Sequence, residues 1–198
     1  MTDFAGFGLP PALLEKLTSM GYTTPTPVQM QAIPPALEGK DILGSAQTGT
    51  GKTAAFGIPM MVRLMNNPRG SALILTPTRE LATQVMTVLK QMQGKYNPIQ
   101  TALLIGGESM GPQFIQLKNR PRIIIGTPGR VFDHLERRGR GQSLHHTLHQ
   151  GRLRQRIARP LQKEHRDLDR RQMIGASHRP LFGCVQRKSK KAQTTHVG

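Results

Sequence analysis

Between Asp41 and Arg137 the chain repeats one pattern four times: a short apolar run, a turn of Gly, Pro, Ser or Thr, then a helical stretch. Asp41-Ile-Leu-Gly44 leads through Ser45–Gly51 into a helix over 52–65. Ala72-Leu-Ile-Leu75 leads through Thr76-Pro-Thr78 into a helix over 79–91. Thr101-Ala-Leu-Leu-Ile105 reaches Gly106-Gly107 and a weaker helix over 112–119. Arg122-Ile-Ile-Ile125 reaches Gly126-Thr-Pro-Gly129 and a helix over 130–137. Short apolar strands separated by helices predict an α/β fold with a parallel sheet. In such sheets ligands collect at the carboxyl ends of the strands, so all four turns are expected to line one rim. Two further helices are predicted ahead of them, over 10–20 and 27–37, split by the Pro/Thr-rich stretch 21–27.

At 198 residues the chain has room for one ordinary domain. Its charge is uneven. Residues 137–198 hold 16 of the 28 Lys and Arg but only 3 of the 11 Asp and Glu, so most of the formal charge of +17 belongs to the C-terminal third. That balance points to nucleic acid or another polyanion as partner. The single cysteine, Cys184, excludes an internal disulfide framework. No apolar run approaches the about 18 residues of a membrane span, and the first residues lack the basic start of a secretory leader. The expectation is a cytoplasmic protein with no membrane association.

The segment with the most specific chemistry is Ala46-Gln-Thr-Gly-Thr-Gly-Lys-Thr53, between a predicted strand and a predicted helix. That is the setting of a phosphate-binding P-loop. Gly49 and Gly51 let the backbone wrap around phosphate oxygens, with the N–H groups from Gln47 through Thr48 and Thr50 to Lys52 turned toward the anion. Lys52 supplies a point charge for the outer phosphates, and the Thr53 hydroxyl is an oxygen ligand for Mg²⁺. A dinucleotide fingerprint is disfavoured because Ala54 stands where its third glycine belongs.

Gly21-Tyr-Thr-Thr-Pro-Thr-Pro-Val-Gln29 lies upstream of this loop. Pro77-Thr-Arg-Glu-Leu-Ala82, Gly106-Gly107 and Thr127-Pro-Gly-Arg130 lie downstream. Together and in this order, over about residues 4–138, they resemble the DEAD-box ATP-dependent RNA helicases. The resemblance implies an incomplete RecA-like P-loop domain with ATP and Mg²⁺ as cofactors. It assigns Gly21–Gln29 to adenine recognition, with Tyr22, Thr24 and the Gln29 carboxamide in the ATP site. Phe4 falls where the family has an aromatic that packs on the base; anchoring of the N-terminal segment stays open as its other role. Pro77, Thr78, Arg79, Gly106, Gly107, Thr127, Pro128, Gly129 and Arg130 are implied as RNA contacts. Hydroxyls, backbone N–H groups and guanidinium groups suit phosphates and sugars, so such contacts would be independent of base sequence. For Gly106-Gly107 a purely structural turn is an equal reading, and Glu80 is a candidate local helix partner.

The sequence contains no Asp-Glu-Ala-Asp and no Ser-Ala-Thr, which the family uses to position Mg²⁺ and water and to couple ATP to RNA. No catalytic residue is therefore assigned. Two functional expectations follow: helicase ancestry, and a chain that binds ATP and RNA without hydrolysis. The helicase pattern stops near Arg138, where Arg, His and Gln take over. Residues 1–138 are expected to form the partial domain. Residues 139–198 are expected to be a basic, disordered tail or the product of a shifted reading frame. Within them His165-Arg-Asp167 lacks the Asn that a kinase loop needs at position 172. Arg138-Gly-Arg-Gly141 is too short to define an RNA-binding repeat. Protein partners are not legible.

Overall fold

The computed structural model describes residues 3–47, 49–93, 99–136 and 195–197. A 3₁₀ turn at Phe4–Phe7 is followed by α1 (Pro11–Ser19), α2 (Pro27–Leu37), β1 (Ile42–Gly44) and α3 (Lys52–Asn66). Then come β2 (Ala72–Leu75), α4 (Arg79–Gln93), β3 (Thr101–Leu104), α5 (Met110–Lys118), β4 (Ile123–Gly126) and α6 (Pro128–Glu136). A last strand, β5, is Thr195–Val197. The expected strands and helices are all present, with ends shifted by a residue or two.

The described residues divide into two compact units. One takes those up to Ala72, those from Val85 to Gln93, and β5; the other takes Leu73–Gln84 and those from Ile99 to Glu136. In the first, α2 packs against α3. Thr26 is the N-cap of α2 and Pro27 its first residue, where a missing N–H costs nothing. Ala54, Ala55, Ile58, Met61 and Leu64 form the buried stripe of α3 at helical spacing.

The second unit is built on a three-stranded sheet of order β2-β4-β3, with β3 and β4 parallel. The middle strand, β4, is buried at every position, which is why its sequence reads Ile-Ile-Ile without alternation. Its core joins Leu73, Ala102, Leu104, Leu117, Ile124, Val131 and Leu135. β3 is an edge strand, and the Gln116 side chain of α5 accepts the Leu103 N–H at 2.8 Å. That occupies a donor which would otherwise be open on the edge.

One expectation changes. Only the turns after β2, β3 and β4 stand at the ends of this sheet. β1 belongs to the other unit and pairs in parallel with β5, Ile42 opposite Thr195. The strand is three residues long and its Leu43 is half exposed. The expected tail beyond residue 138 lies outside the described residues apart from β5.

Candidate nucleotide loop and candidate RNA-contact turns

The loop ahead of α3 carries two glycines in the left-handed region, Gly49 at φ 85° and Gly51 at φ 84°. Thr50 Oγ1 donates to the Gln47 carbonyl at 2.8 Å and tightens the loop. Gly51 then serves as N-cap of α3, and its carbonyl accepts both Ala54 N–H and Ala55 N–H at 3.1 Å. Lys52 Nζ curls back over the loop and donates to the carbonyls of Ala46 and Gln47, the latter at 2.6 Å. Its ammonium thus lies over the loop that the resemblance assigns to phosphate. Thr53 is half-buried on the first turn of α3. Thr48 lies outside the described residues.

Gln29 is bonded within the protein at both ends of its carboxamide. Its Oε1 accepts the Thr26 N–H at 2.9 Å, and its Nε2 donates to the Gly51 carbonyl at 3.1 Å. Thr26 Oγ1 donates to the Thr50 carbonyl at 2.9 Å. The residue that the resemblance assigns to adenine therefore also ties the start of α2 to the loop ahead of α3, and only 2% of it is exposed. Thr26 was not singled out by the sequence reading, although Thr26-x-x-Gln29 has the spacing of a capping box.

Phe4 is buried edge-on against Phe7, with ring centroids 5.8 Å apart, and against Tyr22 at 5.9 Å. This cluster fastens the N-terminal segment. Burial raises the Tyr22 phenol above its ordinary pKa. Thr24 is exposed in the bend ahead of α2.

In the second unit the three turns meet through arginine. Arg79 Nη1 donates to the Gly106 carbonyl at 3.1 Å, and Arg130 Nη1 to the Glu108 carbonyl at 3.0 Å. Arg130 Nε lies 3.7 Å from Asp133, and its side chain is only 13% exposed against 54% for Arg79. Gly107 has φ 81°, and a Cβ there would overlap the Arg79 guanidinium. Pro77 and Thr78 are exposed, and Thr78 Oγ1 accepts the Leu81 N–H at 3.2 Å to cap α4. Thr127 N–H donates to the Leu104 carbonyl at 3.0 Å; Pro128 is buried at the first position of α6, with Gly129 half-buried beside it. Glu80, fully exposed, is held below the ordinary carboxylate range first by a backbone N–H at the helix start, then by the Thr78 hydroxyl and the neighbouring Arg79. It is a local partner at the start of α4, one of the readings left open above.

Sequence reading missed Gln113 and His134. Gln113 Nε2 donates to the Ile105 carbonyl at 2.8 Å, and its Oε1 lies 3.1 Å from His134 Nε2. No local pattern signals the pair.

A family model for DEAD/DEAH box helicases matches residues 26–150. The chain belongs to the DEAD/DEAH box helicase family. Among similar members are the DEAD-box ATP-dependent RNA helicases CshA of Bacillus cereus and Bacillus anthracis. Each is 45% identical over 139 residues, a match that takes in 70% of this chain and 26% of the relative. The chain thus spans about a quarter of the length of these DEAD-box relatives. The crystal structure of a DEAD box protein from Methanococcus jannaschii is similar to it with a TM-score of 0.65 and 38% identity, covering 69% of this chain and 38% of that one. Among the described residues of this helicase-family chain, no helix is long and apolar enough to cross a membrane. None of its His, Cys, Asp and Glu residues gather in a metal-holding group of three or more among those described.

Proposed function

We propose that these residues carry the nucleotide-binding loop and part of the RNA-binding surface of a DEAD-box ATP-dependent RNA helicase. ATP and Mg²⁺ are its cofactors and RNA its partner, held by contacts to backbone rather than bases. The observation that carries the reading is the loop itself: two left-handed glycines ahead of α3, with the Lys52 ammonium over the loop carbonyls. An ammonium resting on carbonyl dipoles is ready to exchange them for phosphate oxygens, which bind it more strongly because they are charged. The residues present fit ATP in this respect. Gln47 through Lys52 would hold the phosphates, Gln29 with Tyr22, Thr24 and Phe4 would bound the base, and Thr53 would give one oxygen to Mg²⁺. The rest of the Mg²⁺ shell would come from phosphates and water. ATP, when bound, supplies the phosphoanhydride whose cleavage drives the helicase cycle. A cytoplasmic location belongs to the same reading.

A second reading is favoured by the sequence itself. The 198 residues contain no Asp-Glu-Ala-Asp, so by themselves they lack the carboxylates that position metal and attacking water. On this reading the chain binds ATP and RNA and does not hydrolyse ATP. An RNA-stimulated ATPase assay on the 198-residue chain, with Lys52→Ala as background, separates the two. Turnover equal to the Lys52→Ala background supports the non-catalytic reading. Turnover clearly above it refutes that reading and assigns hydrolysis to these residues.

A further inference from the structure

Every carbonyl but one from Leu104 to Glu108 accepts a described hydrogen bond from another part of the second unit. Leu104 takes the Thr127 N–H at 3.0 Å and Ile105 takes Gln113 Nε2 at 2.8 Å. Gly106 takes Arg79 Nη1 at 3.1 Å and Glu108 takes Arg130 Nη1 at 3.0 Å. With every carbonyl of this stretch but that of Gly107 so occupied, its amide N–H donors are the larger set of groups it can offer a ligand, and they suit an anionic oxygen. Of the side-chain donors, Gln113 alone is both uncharged and fully buried.

We propose that Gln113 and His134 are positioning residues for the Gly106-Gly107 turn, orienting its amides toward an RNA phosphate; this rests on the RNA-binding reading above. A carboxamide can be placed either way round, and the network decides which. Its oxygen only accepts, so His134 Nε2 must be the donor at 3.1 Å, and this directs the Gln113 amino group at the Ile105 carbonyl. Turned over, Gln113 would set its oxygen against that carbonyl, two acceptors face to face in a buried site. His134 is itself held in place: it is 5% exposed, and the Phe114 ring stands edge-on to it at 4.9 Å and 78°. The brace spans three elements. Gln113 lies on the first turn of α5, His134 on α6, and Ile105 ends the β3 run just before the glycines. It therefore couples the turn after β3 to the helix that begins at Thr127-Pro-Gly-Arg130. Neither residue touches RNA in this account; each acts through the backbone it holds.

The test measures binding of a short fluorescent oligouridylate to the full chain over a range of salt, together with hydrogen exchange of the Gly106, Gly107 and Glu108 amides. Gln113→Met keeps the length of the side chain and removes its donor. It is expected to weaken RNA binding about tenfold, the effect of one misplaced hydrogen-bonded contact. The slope of log affinity against log salt stays unchanged, because no cation is lost. Exchange of the three amides speeds up. His134→Leu should weaken binding in the same direction, and His134→Gln, which keeps a donor for Gln113 Oε1, should restore it. Wild-type affinity and exchange in Gln113→Met would overturn the proposal. Should that variant fail to fold, the Leu and Gln variants at position 134 decide, and equal affinity for the two overturns it. If the wild-type chain does not bind RNA, the RNA reading fails by itself. The positioning role is then judged on amide exchange, and unaltered exchange in Gln113→Met rejects it.

Discussion

Gly51 and Gly107 both hold left-handed backbone, yet a methyl group meets different neighbours at each. At Gly51 it would run into Gln29 Nε2, and Gln29 is buried and bonded at both ends, so it cannot move without breaking the ties to Thr26 and to the loop. At Gly107 it would run into the guanidinium of Arg79, an exposed group that can swing into water. Each substitution carries about 1–2 kcal/mol for the left-handed φ. Gly51→Ala is expected to add to this the loss of the Gln29 bridge, and to weaken nucleotide binding more than it lowers thermal stability. Gly107→Ala is expected to cost little beyond the φ term and to loosen the Arg79–Gly106 bond. Calorimetric melting and nucleotide titration of the two variants check this; equal effects would show that Gln29 is not anchored as described. The capping spacing of Thr26 and Gln29 is legible in the sequence. Their bonds to the Thr50 and Gly51 carbonyls are not, because those partners lie more than twenty residues on.

At the scale of single elements, α4 begins on Thr78, whose hydroxyl accepts the Leu81 N–H at 3.2 Å. Thr78→Ala is expected to cost about 1 kcal/mol, read from denaturant melts. Glu80 adds a pH dependence. Its folded pKa lies below the unfolded one, so its contribution is present above the ordinary Glu range and is lost as pH falls through the folded value. Glu80→Gln should flatten the acid side of a stability–pH profile, and an unchanged profile would show that the carboxylate is not held at the helix start. Elements were the most legible level. Apolar runs bounded by Gly and Pro mark β2 and β4, and the buried stripe of α3 has plain helical spacing. Pairing was less legible. The partner of β1 is β5, some 150 residues away, and nothing in Ile42-Leu-Gly44 specifies it. The brace of Gln113 and His134 escaped for a related reason: two polar residues on separate helices, 21 apart in sequence, gain their meaning only when the fold brings them together at the Ile105 carbonyl.

For the molecule as a whole, charge is the property that sequence determines outright. Residues 137–198 carry +13 of the +17, so RNA affinity should depend steeply on salt. Neutralising Arg152, Arg154 and Arg156 together to Gln is expected to flatten the slope of log affinity against log salt by about 2, at roughly 0.7 per phosphate contact on a single strand. Arg79→Ala, which removes one cation, should change it by less than 1. An unchanged slope in the triple variant would mean that those charges do not meet RNA. The account as a whole stands on the loop from Gln47 to Lys52. Its most direct test is calorimetric titration of a non-hydrolysable ATP analogue with Mg²⁺ into the full chain and into Lys52→Ala. Saturable binding by the wild-type chain, lost in Lys52→Ala at an unchanged melting temperature, is the predicted result. Absent binding, or equal binding by the two proteins, would contradict the assignment of that loop to phosphate.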